Sequence, residues 1–288
     1  MAQIVTILNF KGGVGKTSTS IELSTSLARH YGRKTLLIDL DPQASATFYV
    51  MEQDHWRQWK DLRGSSYNLF DQRNQGFPLR NAIVPDVVQG KTPVTGFDLL
   101  PSTPDLVDVD LSLADFMGYT ILQRYLDQVR DDYDYIICDC PPNFNPVTKN
   151  SLWASDAYVI PTVPDFLSTY GIGLLQRSVH KLFKLASPEQ QFTGPVLGGI
   201  LFTRFKARVL LHATYCEQVR REYPGQVFKH MISDSIVVAD AADKRQPISA
   251  VPSPRDQVAT LQEQFKGLAG EFISRIHHTR RLKRPEAL

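Results

Sequence analysis

The feature that most constrains the fold is a glycine-rich loop between an apolar run and a helical pattern. Residues 4–8 form a short run that is apolar except for Thr6, and residues 11–17 then read Lys-Gly-Gly-Val-Gly-Lys-Thr. Across residues 17–30, apolar side chains recur every three to four positions, which is typical of an amphipathic helix. A second apolar run at residues 35–40 completes a strand, loop, helix and strand, the order of a parallel βαβ unit.

The same alternation continues and predicts an α/β fold. Neither an internal repeat nor a linker rich in Gly, Ser or Pro divides the chain, so we predict one doubly wound domain over residues 1–276 and a basic tail at 277–288. Its mostly parallel sheet is expected to be flanked by helices. Further strands are predicted at 97–100, 135–138, 157–160 and 197–202, and helices at 111–129 and 261–276.

The glycine-rich loop has the chemistry of a phosphate site. Its glycines let backbone N–H groups converge on phosphate oxygens, and the following helix adds its positive N-terminus. Lys16 can reach the β- and γ-phosphates, and the Thr17 hydroxyl can ligate Mg²⁺. ATP and Mg²⁺ on a P-loop NTPase fold are therefore expected. The predicted nucleotide contacts in the loop are Lys11, Gly12, Gly13, Val14, Gly15, Lys16, Thr17 and Ser18.

One departure from the general P-loop pattern is informative. Phe10 takes the place of the first glycine of that pattern, and Lys11 follows it. The loop resembles the deviant Walker A motif of the ParA/MinD family of partitioning and positioning ATPases, Lys-Gly-Gly-x-Gly-Lys-[Ser/Thr]. The resemblance implies that Lys11 reaches across a dimer interface to the partner's nucleotide, so that ATP closes a sandwich homodimer.

Two further segments resemble motifs of this family. Residues 36–43 end in Asp-Leu-Asp-Pro-Gln, and residues 135–142 carry Asp139 out of an apolar strand before two prolines, like a Walker B strand and switch II. Acids at strand ends beside a phosphate loop lie where an attacking water or Mg²⁺ binds. The resemblance implies that Asp41 positions the water, that Asp39 supports the metal shell and that Asp139 holds the metal with the threonine. The predicted catalytic residues are Lys11, Lys16 and Asp41.

Three later segments resemble the surroundings of the nucleotide in the family. Residues 158–165 resemble the strand after switch II, and Asp165 corresponds to an acid that can contact the partner's nucleotide. Residues 198–204 resemble the strand leading to the adenine pocket, although a threonine replaces the asparagine of many members. Residues 247–253 resemble the loop that closes over the base. The adenine contacts implied by the resemblance are Thr203, Arg204 and Pro252.

The family offers three outputs: a DNA-binding dimer, a membrane-bound dimer or an iron–sulfur reductase. The net charge is only +2, so DNA binding requires a local basic patch. The resemblance implies that the C-terminal third supplies it, binding DNA without sequence preference. Because the phosphate loop starts at residue 11, a preceding helix-turn-helix is not expected. The basic residues concerned are Arg204, Lys206, Arg208, Arg220, Arg221, Lys229, Lys244 and Arg245, together with the tail.

The other two outputs are disfavoured. Residues 277–288 have almost no apolar face beside their basic residues, and no apolar run approaches the roughly 20 residues that span a bilayer. A signal-peptide pattern is not seen at the N-terminus. The spacing of Cys138, Cys140 and Cys216 does not favour a cluster shared across a dimer. We expect a cytoplasmic, nucleoid-associated protein.

These observations favour a ParA-type, Soj-like ATPase. Its ATP-bound dimer would coat DNA, and an adaptor protein would stimulate slow hydrolysis to segregate or position a plasmid, a chromosome region or a protein body. One alternative is a nucleotide-dependent regulator that docks a protein partner with little hydrolysis. A second alternative is a MinD-type ATPase that cycles on a membrane.

Overall fold

The computed structural model of the protein describes residues 1–71, 76–90, 92–109, 119–186, 194–252 and 254–283. These residues form one sheet with ten α-helices around it. The strands are β1 (Gln3–Ile7), β2 (Thr35–Asp39), β3 (Phe97–Leu100), β4 (Tyr135–Asp139), β5 (Ala157–Thr162) and β6 (Val196–Phe202). The helices are α1 (Lys16–Tyr31), α2 (Ser45–Val50), α3 (Gln53–Arg63), α4 (Leu79–Ala82), α5 (Ile121–Leu126), α6 (Pro146–Ala154), α7 (Phe166–Ala186), α8 (Leu210–Glu222), α9 (Val237–Asp243) and α10 (Asp256–Lys283).

All pairings between these six strands are parallel, and their order is β3-β2-β4-β1-β5-β6. From β1 the chain crosses to β2 on one side, whereas β5 and β6 lie on the other side. The strand order therefore changes direction beside β1, which is where open α/β sheets bind ligands. The structure confirms the predicted doubly wound parallel sheet flanked by helices.

Helices cover both faces of the sheet and bury two separate cores. Neighbouring residues of β2 point to opposite faces, so Leu37 packs in the core shared with α1, α2 and α10, and Ile38 packs in the core shared with α5 to α8. Both side chains are fully buried. Strands buried on both faces carry continuous apolar runs, which explains why the strands were recognisable without an alternating pattern.

Most predicted elements are found within a few residues of their expected bounds. The strand predicted at 157–160 continues through Pro161 to Thr162. These last residues pair with β6, whereas the pairing of β5 with β1 ends at Val159. The helix predicted over 111–129 lies partly outside the described residues, and α5 occupies part of the remainder.

The C-terminal helix α10 is longer than predicted. It continues to Lys283, so the predicted boundary between residues 276 and 277 falls inside a helix, and the first part of the predicted tail is helical. Within the described part of the chain, none of the helices is both long enough and apolar enough to cross a membrane.

Candidate functional site

The glycine-rich loop leaves β1 where three parallel strands end side by side. Ile7 and Asp39 are both in register with Asp139, so the carboxyl ends of β1, β2 and β4 meet. The predicted loop residues and the two strand-end acids are thereby brought to one edge of the sheet. This edge adjoins the change in strand order, the expected position of a ligand site in this class of fold.

Two glycines and a buried amide shape the loop. Gly13 (φ 72°) and Gly15 (φ 78°) occupy the left-handed region, which residues with a side chain rarely adopt. The buried Asn9 accepts a hydrogen bond from the Lys11 N–H (2.9 Å) and donates one to the Pro161 carbonyl (2.8 Å). Asn9 therefore ties the loop to β5. It was not predicted, because a single asparagine at a strand end has no recognisable spacing.

Lys16 folds back over the loop from the first turn of α1. Its Nζ donates to the carbonyl of Lys11 (3.1 Å), and only 7% of the residue is exposed. Burial lowers the pKa of Lys16, and the nearby carboxylates of Asp139 and Asp41 oppose that shift. The ammonium thus lies against the backbone of the loop, and in P-loop proteins the loop N–H groups and this lysine bind the phosphate oxygens.

Hydroxyl groups of α1 hold the carboxylate of Asp139. Thr17 donates to Oδ2 (2.9 Å), and Ser20 donates to Oδ1 (2.8 Å). Burial raises the pKa of Asp139 to about 6, which still leaves it mostly ionised at neutral pH. A threonine hydroxyl and one carboxylate form an all-oxygen donor set that suits Mg²⁺, which draws its remaining ligands from phosphates and water. The described residues hold no group of three or more His, Cys, Asp or Glu placed to bind a metal.

Asp39 is engaged inside the protein. Its carboxylate accepts hydrogen bonds from the N–H (2.8 Å) and hydroxyl (2.7 Å) of Thr47 and from the N–H of Asp41 (3.1 Å). Burial, reinforced by the neighbouring Asp139, raises the pKa of Asp39 to about 8. These contacts fasten α2 and the Asp41 backbone to the end of β2. The metal-shell role of Asp39 stays a prediction.

Asp41 occupies the position predicted for a water-orienting group. It lines the cavity beside the loop, and one of its oxygens accepts from the N–H of Gln43 (2.9 Å). Its carbonyl accepts from the hydroxyl of Ser102 (2.7 Å) and the N–H of Ala44 (2.8 Å). The carboxylate is thus held on a braced turn and near the Lys16 ammonium, whose charge it partly balances.

A cavity of about 550 Å³ extends from the glycine-rich loop to α9. A volume of this size is typical of small-molecule sites. Its far end was not predicted, because the segment that forms it is distant in sequence and carries no motif. Arg204 links Asp234 of this segment to the loop, and the other residues that line the cavity on the side of α9 are Tyr49, Ile232, Ser233, Ser235, Val238, Ala239, Ala242 and Phe265.

The closure of residues 247–253 over the base, with its contact from Pro252, stays a prediction. Pro252 is exposed and is not among the described residues that line the cavity, and residue 253 lies outside the described residues. Residues 248–250 are buried against α1. The wall of the cavity is formed by residues 232–235 and α9, which precede the predicted loop.

Thr203 and Arg204, the predicted adenine contacts, line the cavity, and their side chains are hydrogen-bonded to the glycine-rich loop. The Thr203 hydroxyl lies 2.7 Å from the Val14 carbonyl and 3.2 Å from the Thr162 carbonyl. The Arg204 guanidinium donates to the Gly13 carbonyl (3.1 Å) and to Asp234 (3.1 Å). Both residues therefore brace the loop, and the base contact proposed for the Thr203 hydroxyl would require it to leave these carbonyls.

This bracing can be tested with Thr203→Val, which keeps the shape of the side chain and removes the hydroxyl. Loss of one buried hydrogen bond is expected to weaken nucleotide binding by roughly five- to tenfold. Titration with a fluorescent ATP analogue measures the change. The exposed Thr214→Val serves as the matched control, and unchanged affinity of the Thr203 variant would contradict the bracing role.

Lys11, which is predicted to cross to a partner, is paired within its own chain. Its Nζ lies 2.8 Å and 3.1 Å from the two carboxylate oxygens of Asp165 and 3.0 Å from the hydroxyl of Ser168. Both side chains of the ion pair remain more than a third exposed. Within its own chain Asp165 thus contacts Lys11, and its contact with a partner's nucleotide stays a prediction. Phe10, beside this lysine, packs edge-on against Phe144 in the segment after β4 (5.8 Å between centroids).

The three cysteines are free and buried. Burial raises the pKa of Cys138 to about 12 and that of Cys216 to about 11, so neither thiol is disposed to ionise. Cys140, at the end of β4, is 1% exposed. The cysteines therefore do not form the exposed pair that the reductase alternative requires.

Comparison with known proteins agrees with this geometry. The AAA_31 family, described as an AAA domain, matches residues 2–191. The sporulation initiation inhibitor protein Soj of Bacillus subtilis (strain 168) is 31% identical, covering 86% of this chain and 90% of its own length. The chromosome-partitioning ATPase Soj of Thermus thermophilus is 33% identical, covering 94% and 96%. The chain belongs to the ParA/MinD family of ATPases.

Membership of this family confirms the resemblance drawn from the loop and the two acidic strand ends. The fold agrees as well: a plasmid partition protein from Borrelia burgdorferi B31, solved bound to AMPPNP, superposes with a TM-score of 0.74 at 24% identity. That match covers 95% of this chain and 99% of the other. The protein is a ParA-type ATPase, and its glycine-rich loop is the deviant Walker A motif of the family.

Proposed function

We propose that this ParA-type ATPase forms an ATP-dependent sandwich dimer that binds DNA without sequence preference and hydrolyses ATP to position a cargo. The observation that carries the proposal is the position of Lys11. Its ammonium lies outside the cavity that holds Lys16, at the exposed rim of the loop, where a second chain can approach. An adaptor protein is expected to stimulate hydrolysis, and the cargo is a plasmid, a chromosome region or a protein body.

The cofactors are ATP and Mg²⁺, and the residues of the site divide the work. The loop N–H groups and Lys16 bind the phosphates, Thr17 and Asp139 are placed to hold the metal, and Asp41 orients the attacking water. Mg²⁺ bound with ATP neutralises charge on the phosphates. Catalysis by the chain itself is thus mainly positioning and charge stabilisation.

Exposed apolar side chains around Lys11 support a second copy as the partner. Phe166, Leu167 and Tyr170, which directly follow Asp165, are 62–67% exposed. Leu210, at the start of α8, is 82% exposed. A small cavity of about 270 Å³ joins this region to the loop, lined by Lys11, Asp165, Lys206 and His212 among others. Phe166 and Tyr170 stack on each other (6.5 Å between centroids), and clustered exposed apolar side chains are typical of interaction sites.

Dimerisation is tested by measuring the mass in solution by light scattering with ATP, ADP and no nucleotide. A dimer with ATP and a monomer with ADP are expected. If the protein binds no nucleotide, or if its mass does not depend on ATP, the proposal is wrong.

The basic residues predicted to bind DNA fall into two groups. Arg204 and Lys206 pair with Asp234, Arg245 pairs with Glu52, and Arg220 donates to the Phe228 carbonyl (3.3 Å). The second group is exposed, without a side-chain ion pair or hydrogen bond to the described residues. It consists of Arg208, Arg221, Lys229 and Lys244, joined by the unpredicted Arg255.

Two members of the exposed group lie close to one contact between segments. Arg220, in the last turn of α8, donates to the carbonyl of Phe228, and Arg221 and Lys229 are the next residues along the chain from these two. The double variant Arg221→Ala/Lys229→Ala is expected to weaken binding to every DNA sequence alike. If each side chain contacts one phosphate, the slope of log affinity against log salt falls by about two.

Gel shifts on two unrelated duplexes, at several salt concentrations and with ATP present, measure this slope. Arg57→Ala, which removes an exposed arginine from α3, is the control and is expected to behave like the unmodified protein. A wild-type affinity that does not depend on ATP or on salt would count against DNA binding through this surface.

A further inference from the structure

Glu22 is a carboxylate buried completely beneath the cavity, six residues along α1 from Lys16. It accepts four hydrogen bonds: at Oε1 from the Ile248 N–H (2.7 Å) and the Tyr49 hydroxyl (3.2 Å), and at Oε2 from the Ser249 N–H (2.9 Å) and hydroxyl (2.7 Å). Burying a carboxylate is costly, and it is retained where strong hydrogen bonds offset the cost. Burial raises the pKa of Glu22.

The turn that Glu22 holds is anchored on every side. Gln262 of α10 donates to the carbonyls of Ile248 (3.1 Å), Ser249 (3.3 Å) and Val251 (3.1 Å), and Arg29 of α1 donates to the carbonyl of Ala250 (2.7 Å). This turn connects α9 to α10. Because the turn is anchored, the chain that follows the C-terminal end of α9 is held in place.

The other end of α9 is held in the same manner. Gln264 of α10 accepts from the Ser233 N–H (2.9 Å), and its amide nitrogen lies 2.9 Å from the Ser233 hydroxyl. Between the two anchors, Val238, Ala239 and Ala242 of α9 form a wall of the cavity. The position of that wall thus depends on the turn that Glu22 holds.

Tyr49 gives Glu22 a second connection to the cavity. The tyrosine lies on α2, which follows the Asp41 turn, and its ring lines the cavity on the side facing α9. Its hydroxyl is occupied by Glu22, so the ring is held in one orientation. Glu22 thus joins three parts of the chain: its own helix α1, Tyr49 on α2, and the turn before α10 at Ile248 and Ser249.

We infer that Glu22 is a positioning residue for the nucleoside half of the ligand. Through Tyr49 and the turn at 248–251, it sets the width of the cavity between α2 and α9, at the end remote from the glycine-rich loop. The inference rests on the proposed function, because it takes the loop end of the cavity as the phosphate site. It assigns the opposite end to the base and ribose.

The test compares ATP with inorganic tripolyphosphate, which has the phosphates and no nucleoside. Glu22→Gln keeps the shape of the side chain but turns an amide NH₂ towards hydrogen-bond donors. We expect it to weaken ATP binding and raise the KM for ATP by about tenfold. The kcat at saturating ATP and the affinity for tripolyphosphate are expected to stay within about twofold. Tyr49→Phe, which removes one hydrogen bond, is expected to weaken ATP binding as well, by a smaller factor.

Glu217→Gln, the same substitution at an exposed position of α8, is the control. If Glu22→Gln does not fold, Tyr49→Phe decides the question by the same comparison. The inference alone would be overturned if binding of ATP and of tripolyphosphate were weakened equally. It would also be overturned if the variants bound both ligands with the affinity of the wild type. A wild type that binds neither ligand would overturn the proposed function and this inference with it.

Discussion

Asp41→Ala is expected to lower ATP turnover by about 100-fold or more while leaving ATP binding nearly intact. A side chain that orients or deprotonates a nucleophile contributes about this much to a rate. Asp41 lies in the cavity on a turn braced by Gln43 and Ser102, and among the described residues its carboxylate forms no hydrogen bond to the glycine-rich loop. Its loss removes the group that orients the water and spares the phosphate contacts, so the ATP-bound dimer is expected to accumulate.

Turnover measured by phosphate release, together with the mass of the ATP-bound species, gives the two quantities needed. Asp41→Asn separates charge from shape, since its amide oxygen can still accept the Gln43 N–H; it should lose turnover too. Asp54→Ala changes an exposed aspartate on α3 and is the control. An Asp41→Ala protein that turns over ATP normally, or that does not form the ATP-bound dimer, would show that Asp41 has another role.

The phosphate end of the site was predictable because its parts are local. Lys16, Thr17 and the two glycines of the loop lie within one strand-to-helix turn, so their spacing alone determines their geometry. Asp139 is distant in sequence, yet parallel strands place their carboxyl ends along one edge, and the register of Asp39 and Asp139 follows from that rule.

The α9 side of the cavity, which we assign to the base, could not be predicted in this way. Its wall comes from residues 232–235 and α9, and the position of that wall depends on contacts between helices that no spacing reveals. Glu22 lies within a run of buried small and apolar residues of α1, where a single acid reads as an exception to the pattern. Only the tertiary structure shows that it faces two backbone N–H groups of a segment more than 200 residues away.

Lys11 and Asp165 illustrate the same limit. The extra lysine was recognised from the motif, but its intrachain partner arises from the placement of α7 beside the loop. In the monomer the pair is partly exposed, and exposed ion pairs contribute about 1 kcal/mol or less. Breaking the pair is therefore a small cost beside the gain from a contact with the charged phosphates of a partner's nucleotide.

Lys11→Gln is consequently expected to bind ATP with nearly unchanged affinity. The dissociation constant of its ATP-bound dimer is expected to rise by about 100-fold. A charged contact that becomes buried at an interface is worth roughly this factor. Sedimentation of the ATP-bound protein over a range of concentrations measures the dimer dissociation constant.

Asp165→Asn is the matched variant on the other side of the pair, since it frees Lys11 and keeps the charge of the lysine. It is expected to favour the dimer by up to about fivefold. The two substitutions break the same intrachain pair, so opposite effects on the dimer are the result expected if Lys11 itself acts across the interface. A Lys11→Gln protein that dimerises as tightly as the wild type would end the sandwich assignment.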